Sequence, residues 1–236
     1  MEQRKKIIIL TGAGISAESG IQTFRDADGL WEGFDWKEVA SPEGWKKDKA
    51  LVLKFYNERR QQLKTVEPNE GHFALVRLEE KYDVCIITQN VDDLHERAGS
   101  TNIIHLHGEL KKSRSTYDEK LVYNCETDIN IGDKCEKGGQ LRPHIVWFGE
   151  DVPLIYTAYN LIQQADYVLI IGTSMQVYPA AGLVDVAPEY AEIFYIDKNP
   201  AVVAAKIRIF AEAGTTGVPK VVNILMENNL TNYNFN

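Results

Sequence analysis

Residues 7–31 read IIILTGAGISAESGIQTFRDADGLW, and they set the fold of the chain. Ile7 to Leu10 are four consecutive apolar residues, the pattern of a short strand buried on both faces. Gly12-Ala13-Gly14-Ile15-Ser16-Ala17 follows, and the residues after it read as a helix. A strand that turns through glycines into a helix N-terminus makes an anion site. The backbone can approach a phosphate closely there, and unpaired N–H groups point at it. A tight βα turn that binds nothing has the same pattern. An ordinary dinucleotide fold places an acidic residue about 20 positions on, at the end of a second strand, for the ribose hydroxyls. Here that distance holds Phe24-Arg25-Asp26-Ala27-Asp28-Gly29-Leu30-Trp31, a polar loop with aromatics and no strand. The ordinary dinucleotide geometry is therefore not supported.

Beyond this stretch, residues 48–63 carry apolar side chains at helical spacing, and HFALVRLEEKY (72–82) reads as a second helix. DVCIITQ (83–89) is another buried strand, with Cys85 in the core, and Asn90 to His95 sit at its carboxyl end. Ligands collect at that end of open parallel sheets. Further strands are expected at IIHLH (103–107), HIVWF (144–148), YVLIIGTS (167–174) and EIFYID (192–197), with helices at 153–164 and near 219–227. Alternating strands and helices predict an α/β fold, a Rossmann-like parallel sheet with helices on both faces. The 236 residues read as one domain. Its large part is expected roughly at 1–30, 75–110 and 142–227, with a helical insertion at 32–74 and a charged small module at 111–141. The Asn-rich end, 228–236, lacks periodicity and is expected to be disordered.

A net charge of −8 argues against a nucleic-acid-binding surface as the main function. Three cysteines, Cys85, Cys125 and Cys135, make a disulfide framework a poor expectation and a reducing compartment a better one. No apolar run is long enough to span a membrane, and MEQRKKIIIL is too short for a signal-peptide core. A cytoplasmic location is the simplest expectation.

His107 ends an apolar strand and precedes a glycine. Its ordinary pKa of about 6.5 lets it accept a proton at neutral pH. His105, two residues earlier, and His95 are weaker candidates for that role. Gln89, Asn90 and Asp92 either cap a strand end or line a site. Tyr56 and Arg59, three apart on a helix, share a face. They either pack along a surface or present a hydroxyl and a planar fork of donors suited to a carboxylate.

Together with QNVDDLH (89–95), HLHGEL (105–110), RPHIVWFGE (142–150) and GTS (172–174), residues 7–31 resemble the sirtuins, which are NAD-dependent protein-lysine deacylases. The motifs occur in the family's order from residue 8 to about residue 225, nearly the whole chain. The resemblance implies NAD as the cofactor. Gly12, Ala13, Gly14, Ser16 and Ala17 would cradle it, Thr23 and Trp31 would also bind it, and Phe24 and Arg25 would belong to a flexible loop over the departing nicotinamide. Gln89 would lie near the nicotinamide ribose. Asn90 and Asp92 would line the nicotinamide pocket, since such a pair can meet both edges of a carboxamide. Gly172, Thr173 and Ser174 would approach the adenosine half, Asp197, Lys198 and Asn199 the adenine ribose, and Gly214 the adenine.

In the implied reaction the acyl-lysine oxygen captures the sugar carbon as nicotinamide leaves. His107 then activates a ribose hydroxyl toward the acyl carbon, giving free lysine and O-acyl-ADP-ribose. Val146, Trp147, Phe148 and Gly149 would bind the acylated peptide by strand addition. Tyr-x-x-Arg at 56–59 resembles the branch that removes succinyl and malonyl groups, with deacetylation also open. The implied partners are acylated lysine side chains of proteins, with no nucleic acid and no membrane.

Sirtuins typically carry two cysteine pairs that bind a structural zinc. Ser115 stands about where the first cysteine falls and Gly138 where the partner of Cys135 falls, so zinc is expected to be absent. Two alternatives are an ADP-ribosyltransferase or NAD glycohydrolase using the same pocket, and a non-catalytic NAD or ADP-ribose binding module.

Overall fold

A computed structural model describes residues 4–22, 30–31, 33–201 and 206–227, with the backbone alone at Leu30 and Trp31. Thr23, Phe24, Arg25, the Trp31 side chain and the 228–236 end lie outside the described residues. The chain runs through β1 (Lys6–Thr11), the short pair β2 (Leu30–Trp31) and β3 (Phe34–Asp35), and helices α1 (Trp36–Val39), α2 (Pro42–Lys47), α3 (Lys49–Leu63) and α4 (Glu70–Leu78). Next come β4 (Asp83–Thr88), α5 (Leu94–Ala98), β5 (Ile103–His105), β6 (Gly108–Ser115), β7 (Val122–Asn124) and β8 (Leu141–Ile145). The remaining elements are α6 (Ile155–Ile162), β9 (Tyr167–Ile171), β10 (Glu192–Ile196), β11 (Ile207–Phe210) and α7 (Gly214–Met226).

Six strands form one parallel sheet in the order β11-β10-β9-β1-β4-β5. β1 lies inside it, hydrogen-bonded to β4 on one side and β9 on the other. Its side chains alternate between two apolar layers. Ile7 and Ile9 pack with Leu75 and Leu78 of α4 and Val218 and Val222 of α7. Ile8 and Leu10 face the other way, toward Ile155 and Ile162 of α6 and Leu183. Helices cover both faces, so the strand has no solvent side and its sequence need not alternate.

A third apolar cluster lies apart from these layers. Val52, Phe55 and Tyr56 of α3 meet Leu110, Ile129, Ile145 and Trp147, so the helical segment before α4 and the small antiparallel sheet β7-β6-β8 share one core. Asp48 caps α3 through the Leu51 N–H at 2.9 Å. Asn69 caps α4 and donates from Nδ2 to the Ile15 carbonyl at 2.8 Å, tying that helix to the glycine turn.

Two expectations are corrected. The helix expected after the Gly12–Ala17 stretch is, over the described residues, only a short 3-10 turn, Ala17–Ser19, preceded by another within the stretch, Ala13–Ile15. The HIVWF segment is not a strand throughout. Pairing stops at Ile145, in the small sheet against β6, and residues 146–148 leave it: the Val146 N–H bonds the His107 carbonyl and the Phe148 N–H the Ala40 carbonyl. β11 carries no expectation from sequence. It is a four-residue edge strand whose Ile209 is 44% exposed, too short and too mixed to show as a buried run.

Ile9 is fully buried between the central strands and helices α4 and α7. Ile9→Ala is expected to lower the unfolding free energy by about 3 kcal/mol, read as a lower urea midpoint with unchanged slope. A loss below about 1 kcal/mol would contradict this packing.

Candidate active site

A cleft of about 560 Å³ opens where four strands of the large sheet end. Gly12 follows β1, Gln89 follows β4, Gly172 follows β9 and Asp197 follows β10, and all four line it. Its floor is a contact between two backbones. The Gly12 N–H bonds the Ile171 carbonyl at 2.9 Å and the Gly14 N–H the Gly172 carbonyl at 2.8 Å. A methyl group on Gly14 would lie 2.6 Å from the Gly172 Cα, so only glycines allow the two turns to touch. Ala13 and Ala17 line the cleft beside them, and Gly214 does so from the start of α7.

Ser16 does not line the cleft but lies fully buried behind it. Its hydroxyl donates to Asp92 Oδ2 at 3.0 Å and accepts from Asn90 Nδ2 at 3.1 Å. One hydroxyl thus fixes both side chains that line the cleft after β4. Asp92 also accepts from the Leu94 N–H at 3.2 Å, at the start of α5. Burial pushes the Asp92 carboxyl up to about 6, against these two hydrogen bonds that favour its charge. Beneath the cluster, the Thr88 hydroxyl accepts from the Asn90 N–H at 3.0 Å and from the Thr11 hydroxyl at 2.9 Å. Buried His95 completes the chain through Nε2 to Thr11 at 3.1 Å, which takes it away from the cleft.

His107 lines the same cleft. Its Nδ1 lies 3.1 Å from the Gln89 carbonyl, which can only accept, so Nδ1 carries the proton and Nε2 keeps its lone pair. Burial lowers its pKa, outweighing the opposing pull of that carbonyl, so the ring is neutral at pH 7. The glycine after it has a specific cause. Gly108 has φ +83° and a Cβ there would sit 2.0 Å from the His144 carbonyl, where β6 and β8 cross. Gln89 Nε2 donates to the Thr173 hydroxyl at 3.1 Å, joining the β4 and β9 ends.

At the far end Ser174, Lys198 and Asn199 line the cleft with Asp197, which caps its own turn through the Asn199 N–H at 2.8 Å. Lys198 pairs with Glu18 at 3.5 Å. Residues such as Gln22, Val177 and Glu212 also line the cleft, and no motif in the sequence marks them.

Val146, Trp147, Phe148 and Gly149 form the opposite wall, with Tyr56 from α3. The Trp147 indole N–H donates to the Tyr56 hydroxyl at 3.0 Å. Arg142 stacks on the indole, its guanidinium carbon 3.2 Å from the ring centroid, and pairs with Glu150 at 2.6 Å. Glu150 also accepts from Arg114 and from the Trp147 N–H. Burial opposes charge on Glu150, but these donors prevail and hold its carboxyl below the usual range. Arg59 is not among the lining residues; its guanidinium lies over the Phe55 ring at 5.1 Å. Arg60 turns into the module core and donates to the Leu110 carbonyl at 2.8 Å.

In the small module the Ser115 hydroxyl and the Cys135 thiol lie 3.1 Å apart. Ser115 also accepts from the Tyr117 and Asp118 N–H groups. Gly138 closes a turn onto the Cys135 carbonyl. These residues do not fit a tetrahedral zinc site. Among the described residues no three His, Cys, Asp or Glu side chains come together as a metal site.

The raised Asp92 pKa fixes the sign of a pH effect. Protonated Asp92 is favoured in the folded state, so its contribution is full below about 3.8 and is lost as pH rises through about 6. Asp92→Asn is expected to remove this loss, flattening unfolding free energy against pH between about 4 and 6 relative to wild type. Parallel profiles would contradict a buried, raised carboxyl.

The Sir2 family model matches residues 12–179. An NAD-dependent protein deacylase of Helicobacter pylori (strain ATCC 700392 / 26695) is 63% identical over 193 residues, covering 82% of this chain and 84% of its own. Another, from Bacteroides thetaiotaomicron, is 49% identical over 230 residues, covering 94% and 98%. A Sir2 homologue solved as an NAD complex matches with a TM-score of 0.85 at 37% identity, over 95% of this chain and 91% of its own. A mutant Sir2 homologue solved with ADP-ribose matches at 0.87 and 36% identity, over 98% and 96%. With its parallel sheet, its glycine turn and the motifs that meet in one cleft, this chain belongs to the Sir2 family, the sirtuins.

Proposed function

We propose that this chain, read as one catalytic domain over residues 1–236, is an NAD-dependent protein-lysine deacylase that removes succinyl and malonyl groups and also accepts acetyl. The observation that carries the reading is His107. It is a neutral imidazole with Nδ1–H spent on a carbonyl, in one cleft with the Asn90–Ser16–Asp92 cluster and the glycine cradle.

The residues present fit NAD. The Gly14–Gly172 contact, too close for any side chain, brings the backbones of two strand-end turns together at the cleft floor, and a buried amide–carboxyl pair stands within the same cleft. When bound, NAD supplies the sugar carbon that accepts the acyl oxygen as nicotinamide departs. Asn90 and Asp92 would hold the carboxamide, oriented by Ser16. His107 Nε2 would take the proton of a ribose hydroxyl. Thr173, Ser174, Asp197, Lys198, Asn199 and Gly214 would hold the adenosine half. The Val146–Gly149 wall would bind the peptide backbone, and the bound substrates would keep water from the reacting carbon. The acylated substrates are lysine side chains of proteins.

Tyr56 supports the acyl preference. Its hydroxyl accepts the Trp147 N–H, and it lines the cleft one helical turn before Arg59. A carboxylate at the acyl end would draw on both.

His107→Ala is expected to cut acyl removal by about 10²–10⁴-fold with unchanged unfolding. A loss below about 10-fold would remove it from the base role. Arg59→Met and Tyr56→Phe are each expected to cut desuccinylation by about 10- to 100-fold through KM, with deacetylation little changed. Equal effects on both acyl groups, or none, would contradict the carboxylate reading.

A further inference from the structure

His105 ends β5, and His107 follows two residues on, in the turn that leads into β6. They hold consecutive carbonyls of the turn after β4. His107 Nδ1 meets the Gln89 carbonyl at 3.1 Å and His105 Nδ1 meets the Asn90 carbonyl at 3.3 Å. The two rings differ at the other nitrogen. Nε2 of His105 lies 2.7 Å from Glu96 Oε1, on α5.

A carbonyl and a carboxylate only accept hydrogen bonds. A ring that satisfies both must carry a proton on each nitrogen, which makes it a cation. We propose that His105 is a positioning residue that acts as an imidazolium, clamping the Asn90 carbonyl to Glu96 and so fixing the Gln89–Asp92 turn beside His107.

The rest of the turn agrees. Asn90 is held at its N–H by Thr88, at its side chain by Ser16 and at its carbonyl by His105, so its whole peptide unit is anchored. The titratable groups around His105 are Glu96 and His95 of α5, Glu109 and Lys112 of β6, and Asp92 in the turn. Lys112 is itself paired with Glu109 at 2.6 Å. His95 is buried and stays neutral, its pKa lowered chiefly by burial. Burial would also lower the His105 pKa, but the Glu96 carboxylate, with Glu109 behind it, outweighs burial and raises it. The positive ring in turn favours the charged form of Asp92.

Protonation therefore splits between two histidines two residues apart. His107 has to be neutral to act as a base, and His105 has to be charged to hold the turn. Acyl removal should rise with pH as His107 loses its proton and fall at higher pH as His105 loses one of its own. This rests on the deacylase reading for its activity arm alone.

The test begins with the full chain labelled with ¹⁵N-histidine, without NAD or peptide, observed by NMR. His105 is assigned by its loss in His105→Gln. Both ring nitrogens of His105 are expected to carry protons at pH 7, against one for His107; a single proton on His105 overturns the proposal. Glu96→Gln keeps a hydrogen-bonding partner but removes its charge. In that variant the titration midpoint of His105 is expected to fall by about one pH unit. The alkaline limb of kcat/KM for acyl removal should fall with it. A limb that stays while the midpoint moves overturns the positioning role, as does a uniform loss at every pH. Glu96→Asp should restore part of the limb. The NMR arm does not depend on turnover, so failure of the deacylase reading would not be mistaken for failure of the clamp.

Discussion

Gly14 and Gly172 touch, and the shape of the site follows from that contact. It brings the turn after β1 against the turn after β9 at backbone distance, and nothing larger than glycine allows it. Two neighbouring parallel strands then end together, and a cleft opens above them with bare backbone on its floor. The sheet makes this possible because β1 is buried on both faces and bonded on both edges, so its end cannot drift. Rigidity in the strand becomes precision in the turn.

From that floor the site is built by buried polar groups that reach between elements. Ser16, just past the glycines, binds the two side chains that follow β4. Gln89 reaches across to Thr173 after β9, and His107 returns to the Gln89 carbonyl from beyond β5. Each bond crosses from one strand end to another, so the chemistry belongs to the sheet's edge and not to a single segment. The opposite wall depends on a different device. Trp147 lies between the stacked Arg142 and the Tyr56 hydroxyl, and Glu150 fixes Arg142 in place. That wall rests on the small sheet and α3, which share the third core.

Much of this is legible in the sequence. Ile7–Leu10 and Val84–Ile87 read as buried strands because both faces are covered, and a short apolar run without alternation is what such a strand requires. His107 stands out because it ends such a run before a glycine. The residues after Ala17 read as a helix because a glycine turn after a strand often leads into one. Here Ser16 is drawn inward to Asp92 and Asn90, and the backbone closes into short 3-10 turns. HIVWF misleads for another reason. Val146 and Trp147 are apolar because they line the cleft, and Trp147 also packs on Arg142, which sequence pattern cannot tell from a strand interior. Helical spacing sets Arg59 on the Tyr56 face and turns Arg60 elsewhere, but only the fold shows that one lies over Phe55 and the other clamps Leu110. The spacing of His105 and His107 is visible too, but its meaning requires Glu96, which only the fold brings near.

Product stoichiometry is the decisive measurement for NAD-dependent acyl removal in this cleft. The chain would be incubated with NAD and a succinyl-lysine peptide, and nicotinamide, free-lysine peptide and O-succinyl-ADP-ribose followed by mass spectrometry. The three are predicted to appear in equal amounts, and none to form without the peptide. Nicotinamide released at the same rate with no acylated peptide, and with no O-acyl product, would contradict the deacylase reading and identify a glycohydrolase.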